Sequence, residues 1–357
     1  MKKRKSNLDL LRILSMFFIV SLHYLGVGGS FYNIYDGNTT LIDGNYCLAS
    51  WLEALSIVGV NCFVLISGYF LINSSFKWKK IGQIYLTTIF YSVILFLIHV
   101  IFYGFSLGDA VSSFLPVLMS TYWFITVYLV LYLLSPYINI LCNHLSKKQH
   151  LTLILILVAI FSVWKCVLPI AETIDNRKGY SLTWFIVLYV CGAYISKYGI
   201  QGFKRNIFNL LSYFGISIVM VLIKIAAIVA STKFAILANG QNLFYHYDSI
   251  TVFAASIFLF IFFSRIECNS AFLGKAVEII APSTFSVYLI HENFLWREIF
   301  WNQILKANVM TSSPFFILHF LLCVVGVFVV CVLIDQIRKI VFLITANSIK
   351  RLKRKEK

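Results

Sequence analysis

The chain is dominated by apolar runs of about 18 to 25 residues, which alternate with short polar connections. A helix of that length can cross a hydrocarbon core of about 30 Å, whereas barrel strands would be shorter and would alternate polar with apolar positions. The pattern therefore predicts an all-α, polytopic integral membrane protein with about ten transmembrane helices. The predicted spans lie near residues 8–28, 50–73, 81–103, 114–140, 151–170, 181–197, 207–230, 249–265, 279–300 and 315–345.

Composition and charge agree with a membrane protein. Of the 357 residues, 60% are hydrophobic and 12% are charged, which is too apolar for a soluble domain of this length. The formal net charge of +16 comes mainly from Lys and Arg clusters in the connections between apolar runs. Because cytoplasmic connections are enriched in Lys and Arg, these clusters predict that both termini are cytoplasmic. This topology in the plasma membrane accounts for the net positive charge, so no nucleic-acid partner is expected.

The domain organisation is simple. We expect one transmembrane domain over residues 1–345 and a basic cytoplasmic tail over residues 346–357. The first apolar run follows MKKRK, but it extends over about 21 residues and lacks an A-x-A site, so we expect it to remain as the first span. The predicted outer connections include three turn-rich segments, where an outer-face substrate is expected to dock: 32–46, 171–180 and 237–248. The oligomeric state is left open.

The first span, NLDLLRILSMFFIVSLHYLGVGG over residues 7–29, contains two residues that are unusual in lipid, Arg12 and His23. Eleven residues make about three helical turns, so both side chains point the same way and lie about 16 Å apart along the axis. An arginine near the centre of a membrane helix costs roughly 2.5–3.5 kcal/mol, which predicts that both face the protein interior or a water-filled cavity. Alternatively, Arg12 reaches the headgroups and His23 is a satisfied core residue. Asp9 either belongs to a capping box or orients Arg12.

The R-x10-H spacing of Arg12 and His23 resembles the hallmark of the acyltransferase-3 family of membrane acyltransferases. Further segments resemble motifs of the same family in the same order, so that the resemblance extends from residue 7 to about residue 340. Two positions depart from the family pattern, Asn61 and Glu292. The further segments are GVNCFVLISGYFLI (59–72), YWFITVYLVLYLLSP (122–136) and STFSVYLIHENF (283–294).

The resemblance implies an enzyme that moves an acyl group, often acetyl, from cytoplasmic acyl-CoA to a hydroxyl of a surface polysaccharide or glycolipid. Acyl-CoA is then a co-substrate, and no permanently bound cofactor is expected. Some members carry an additional extracytoplasmic hydrolase-like domain. This sequence shows no such segment, so we expect the membrane domain or a partner to complete the transfer.

The two catalytic candidates are His23 and Arg12. His23 has a suitable unperturbed pKa for a base near neutral pH, and it can either deprotonate the acceptor hydroxyl or carry the acyl group itself. Arg12 also belongs to the expected cofactor-binding residues, because a guanidinium pairs bidentately with phosphate oxygens such as those of CoA. Ser67 is the second such residue: the Ser67-Gly68 pair either places Ser67 on the donor channel or serves only to let the helices approach closely at Gly68.

Three supporting candidates come from the later motifs. Tyr288 and His291 can supply a hydrogen-bond donor to the site or form a structural pair. Trp123 can contact a sugar ring or anchor its helix in the interface. The remaining histidines form no defensible ligand cluster, so no metal is expected. The other ionisable groups within or at the edge of spans are expected to pair structurally or to reach an interface rather than to perform chemistry: Glu53, Lys165, Lys224 and Asp335.

The main alternative function is a transporter or flippase for a lipid-linked glycan, because intramembrane charges also mark translocation pathways. Such a protein would show inverted repeats with broken helices at matched positions. The sequence contains one weak internal echo, TYWFITVYLVLYL (121–133) against LTWFIVLYVCGAY (182–194). An arginine and a histidine on one face, within matching motifs, favour the acyltransferase.

Overall fold

The computed structural model describes residues 6–29, 42–167, 175, 177–200, 204–231, 233–234, 241–267 and 270–355, with backbone alone at 273 and 345–355. Over these residues the fold is all-α, as predicted. The helices are α1 (Ser6–His23), α2 (Gly44–Ser56), α3 (Gly59–Leu71), α4 (Trp78–Tyr103), α5 (Leu107–Phe114), α6 (Trp123–His144), α7 (Lys147–Val158), α8 (Trp164–Val167), α9 (Leu182–Tyr198), α10 (Asn206–Ser231), α11 (Ile250–Ser264), α12 (Ala271–Ile280), α13 (Thr284–His291), α14 (Ala307–Met310) and α15 (Phe316–Lys355).

Within the described ranges, eight helical segments are long and apolar enough to cross a membrane. They match eight of the ten predicted spans, which confirms a polytopic membrane protein, while the number of crossings and the side of each terminus stay predictions. The segments are Ser6–Gly28, Gly44–Leu71, Trp78–Tyr103, Trp123–His144, Lys147–Val167, Asn206–Ser231, Leu243–Ser264 and Phe316–Ile344.

The two remaining predicted spans take other forms. The span predicted at 181–197 is α9, an apolar helix of 17 residues. The span predicted at 279–300 is interrupted twice. Its first break is the short 3-10 turn Ala281–Ser283, where Pro282 lacks the N–H that would continue a helix, and its second follows His291 at the end of α13. These breaks bring irregular backbone into the protein interior, where it borders the cavity described below.

Helix α9 is the centre of the fold, and most of its residues from Trp184 to Ile195 are buried. It packs closely on α3 through two glycines. A Cβ atom at Gly192 would overlap the Leu65 carbonyl oxygen and lie 2.9 Å from the Tyr69 nitrogen, and one at Gly68 would overlap the Tyr189 carbonyl group. The close approach predicted for Gly68 is therefore present, and it fixes α3 beside the rest of the core.

The four ionisable residues that were expected to pair or to reach an interface are all paired. Lys224 Nζ lies 2.8 Å from Glu53 Oε2, and Lys165 Nζ lies 2.7 Å from Asp248 Oδ2. Buried charges of this kind are costly unless paired, and each bridge joins segments that are distant in sequence: α10 to α2, and α8 to the turn before α11. Asp335 has the largest set of partners, with Arg338 at 2.8 Å, Lys339 at 2.9 Å, Tyr91 at 2.9 Å and Ser286 at 2.6 Å.

Candidate functional site

A cavity of about 710 Å³ lies between α1, α3, α4, α6 and the interrupted segment around α13. Volumes of this order are typical of sites for small molecules and cofactors. Most of the site residues predicted from the sequence line this one cavity: Arg12, His23, Ser67, Trp123 and Tyr288.

The two other predicted residues each contact a residue of the cavity wall. Asp9 Oδ1 lies 2.5 Å from the Arg12 guanidinium, one helical turn away on α1. His291 Nε2 lies 2.8 Å from His23 Nδ1. The structure thus brings every predicted site residue into one connected group, although the chemical role of each stays a prediction.

His23 is the last residue of α1, and a single π-helical turn, Tyr24–Gly28, follows it directly. Such π turns are rare, and they occur frequently at functional sites. The turn is held by the Tyr24 hydroxyl, which lies 2.7 Å from His319 Nδ1 on α15, and by the Trp301 ring packed edge-on against Tyr24. The backbone that carries His23 is therefore fixed by residues close to the other end of the chain.

The hydrogen bonds of the two histidines determine where their protons lie. His291 Nδ1 is 2.6 Å from the Val287 carbonyl oxygen, which can only accept, so His291 Nδ1 carries a proton. In the neutral imidazole, His291 Nε2 then accepts, and His23 Nδ1 must be its donor. This tautomer leaves the lone pair on His23 Nε2. With 20% of its side chain exposed, His23 is the member of the pair that lines the cavity.

A buried carboxylate completes the group around His23. Glu292 Oε2 lies 3.3 Å from His23 Nδ1, and Glu292 Oε1 accepts a hydrogen bond of 3.1 Å from Arg297. Both Glu292 and Arg297 line the cavity. A carboxylate next to an imidazole stabilises the imidazolium that forms when the imidazole takes up a proton.

The end of the cavity near the start of α1 is cationic. Arg12, with 31% of its side chain exposed, and Lys80 on α4 both line it. Ser67 also lines the wall, and its hydroxyl donates to the Phe63 carbonyl oxygen at 2.9 Å and lies 3.4 Å from the Tyr128 hydroxyl. Two cations in a partly enclosed cavity favour an anionic ligand group.

Another part of the wall is aromatic. The ring of Tyr180 lies 4.5 Å from the Trp123 ring and 4.9 Å from the Tyr247 ring, centroid to centroid. The Tyr247 carbonyl oxygen accepts a 2.9 Å hydrogen bond from Asn61, which in turn accepts one from Trp184. Tyr180 and Tyr247 belong to the turn-rich connections predicted to meet the acceptor, while 30–41, 168–174, 176 and 235–240 lie outside the described residues.

Comparison with known families shows to which family the chain belongs. The family model described as an acyltransferase domain matches residues 5–336, nearly the whole chain. The chain belongs to the acyltransferase-3 family. No curated protein and no solved structure matches it.

The candidate site of this acyltransferase-3 protein contains residues that the sequence did not assign to it. Glu292 and Arg297 are, with Glu298, the charged residues of the predicted span 279–300, which was a usable signal. Lys80 lies in a basic connection, and Tyr180 and Tyr247 lie in turn-rich connections. Nothing in the local sequence distinguished these three residues from the other residues of the same connections. Over the described residues, no group of three or more His, Cys, Asp or Glu residues is placed to hold a metal ion.

Proposed function

We propose that this acyltransferase moves an acyl group, acetyl in the simplest case, from cytoplasmic acyl-CoA to a hydroxyl of a cell-surface or exported polysaccharide at the plasma membrane. The observation that carries the proposal is the pairing of His23 with His291 at 2.8 Å, on the wall of a cavity that Arg12 also lines. Acyl transfer from a thioester to an alcohol needs a base and a means of holding both reactants, and these residues can supply them.

The base is His23. Its Nε2 lone pair takes the proton of the acceptor hydroxyl as the acceptor oxygen attacks the thioester carbonyl carbon. The neighbouring Glu292 carboxylate, 3.3 Å from Nδ1, stabilises the imidazolium formed in that step. His23 later returns the proton to the CoA sulfur. We propose direct transfer; a labelled acyl-protein that accumulates without acceptor would instead show that His23 carries the acyl group.

The donor enters at the cationic end. Arg12 binds a phosphate of CoA, with Asp9 holding the guanidinium in place at 2.5 Å, and the pantetheine arm runs past Ser67 toward His23. The roughly 16 Å along α1 between Arg12 and His23 is a suitable length for an extended arm. With the predicted topology, this end of the cavity faces the cytoplasm, which is where acyl-CoA is found.

The acceptor is proposed to dock on the aromatic part of the wall. The rings of Trp123, Tyr180 and Tyr247 offer flat apolar faces with polar edges, which suit a sugar ring, itself apolar on its faces and polar at its rim. A hydroxyl of a sugar held there can reach the same cavity that His23 lines. Acceptor and donor therefore meet at His23 from different sides.

The test is a transfer assay on membranes that contain the protein. Membranes are incubated with radiolabelled acetyl-CoA and cell-surface polysaccharide, and wild type is compared with His23→Ala. The matched control is His144→Ala, because among the described residues the His144 side chain bonds to the Ile140 carbonyl oxygen of its own helix, and it does not line the cavity. We expect label in the polysaccharide with wild type and the control, and background label with His23→Ala at equal abundance.

Two results would overturn the proposal. Undiminished transfer by His23→Ala would remove the proposed base. No labelled polysaccharide from wild-type membranes, together with loss of glycan translocation in cells lacking the protein, would favour the transporter instead.

A further inference from the structure

Tyr288 has a buried hydroxyl that donates to no acceptor among the described residues. It lies on α13, one turn before His291, and only 5% of the residue is exposed. Its side chain lines the cavity, and the backbone of Phe124 lies close to the hydroxyl, but the hydroxyl proton has no acceptor among the described residues. Leaving a buried polar group unpaired costs roughly 1–3 kcal/mol, so such a group calls for an explanation.

The neighbouring tyrosine shows how a structural hydroxyl is satisfied in the same region. The Tyr122 hydroxyl donates to the Leu289 carbonyl oxygen at 3.0 Å and accepts from Asn293 at 2.9 Å. The two rings are 5.9 Å apart, so they share one environment. Unlike the Tyr122 hydroxyl, the Tyr288 hydroxyl donates to no acceptor among the described residues, so it can donate to a bound ligand.

The position of Tyr288 relative to His23 fits one reacting group between them. Their ring centroids are 6.5 Å apart, and both side chains line the cavity. A thioester carbonyl bound between them can have its carbon near the attacking oxygen held by His23. Because the Tyr288 hydroxyl is itself buried, a small rotation of that side chain toward the cavity is needed to bring the phenol within hydrogen-bond distance of the carbonyl oxygen. Donors about 3 Å from a developing oxyanion are a recurrent element of acyl-transfer sites.

Resting on the proposed function, we infer that the Tyr288 hydroxyl is the oxyanion donor of the transfer reaction. The acceptor oxygen bonds to the thioester carbon while its proton passes to His23 Nε2, and the carbonyl π pair moves onto oxygen. Tyr288 stabilises that negative charge by a hydrogen bond and keeps its own proton. When the carbonyl re-forms, the carbon–sulfur bond breaks, and the CoA thiolate leaves with the proton that His23 returns.

The first experiment compares Tyr288→Phe with the wild-type protein in detergent or nanodiscs. Loss of one oxyanion donor typically lowers kcat by about 10²–10³-fold, because the bond is made only in the transition state. We expect that decrease with KM values for acetyl-CoA and polysaccharide changed by less than about threefold. Tyr122→Phe is the matched control: it removes a satisfied buried hydroxyl, so the thermal midpoint should fall while kcat of the folded protein stays within about fivefold.

A second variant alters the ring of Tyr288 but keeps its hydroxyl. Incorporation of 3-fluorotyrosine at position 288 keeps the shape and the O–H donor, and kcat should stay within a few-fold of wild type. If Tyr288→Phe keeps full kcat, or only raises a KM, the inference is overturned while the role of His23 stands. If wild type itself transfers no acyl group, the proposed function has failed, so the two failures are distinguishable.

Discussion

His23 Nδ1 lies 2.8 Å from His291 Nε2, although the two residues are 268 positions apart in the chain. The contact joins the end of α1 to the end of α13, just where each regular helix stops. Because His291 is itself anchored to the Val287 carbonyl oxygen at 2.6 Å, the pair has a defined direction of donation. One histidine is buried and fixed, and the other is oriented by it toward the cavity.

Replacing His291 should therefore impair catalysis more than binding. In His291→Leu, His23 loses its oriented acceptor, and kcat should fall by about 10²–10⁴-fold, as for orienting groups in other acyl-transfer sites. His291→Gln should recover part of kcat, because its carbonyl oxygen can accept from His23 Nδ1. Both constants are measured with acetyl-CoA and acceptor varied separately. Equal activity of the Leu and Gln variants would contradict a positioning role.

Arg12 should control the use of the donor. A hydrogen bond to a charged group contributes about 1.5–3 kcal/mol, so Arg12→Gln should raise KM for acetyl-CoA by about 12–140-fold, with KM for the acceptor little changed. Arg12→Lys keeps the charge but loses the bidentate geometry and should show a smaller rise. Steady-state kinetics at several acetyl-CoA concentrations provide the measurement. A rise confined to the acceptor KM would contradict a phosphate contact at this end of the cavity.

The first span shows what a local pattern can predict. Helical periodicity fixes which residues share a face, so Arg12 and His23 could be placed together from their spacing alone. The segment 279–300 shows the limit of such reasoning. Its mean hydropathy predicts one span, whereas Pro282 and the end of α13 at His291 divide it into short pieces. The average over a window conceals breaks that other parts of the protein must stabilise.

The partners of the site residues were harder to predict than the residues themselves. The choice of His291 and Glu292 as neighbours of His23 depends on how α1 packs against α13, which no local pattern encodes. Tyr247 reaches the cavity because Asn61 holds its carbonyl oxygen from α3, a contact across 186 positions of the chain. Connections take their conformation from such distant contacts, so their composition predicted a docking region without naming its residues.

The aromatic wall should determine affinity for the acceptor. Loss of one stacked ring costs about 0.5–1.5 kcal/mol, so Trp123→Ala should raise the acceptor KM by roughly 2–13-fold and leave KM for acetyl-CoA unchanged. Trp78→Ala is a suitable control, because Trp78 is 72% exposed and does not line the cavity. Transfer to purified polysaccharide at increasing concentration provides the measurement. An equal effect of the two substitutions would point to general anchoring of aromatic residues rather than to acceptor binding.

The close packing of α3 on α9 should make Gly192 intolerant of a larger side chain. A Cβ atom there would overlap the Leu65 carbonyl oxygen, which is backbone and cannot move away without separating the two helices. We expect Gly192→Ala to lower the free energy of unfolding by about 1–3 kcal/mol, seen as a lower thermal midpoint of the purified protein in detergent.

Gly215 on α10 provides the matched control, because a Cβ atom there meets nothing within 4 Å. In an open helical position, Gly→Ala is neutral or stabilises by up to about 1 kcal/mol, since alanine loses less backbone entropy on folding. The two variants thus carry the same chemical change with opposite expected signs. An unchanged midpoint for Gly192→Ala would mean that α3 and α9 are not packed as closely as the carbonyl contacts at Gly68 and Gly192 indicate. The α3–α9 contact would then not be what fixes Ser67 on the cavity wall.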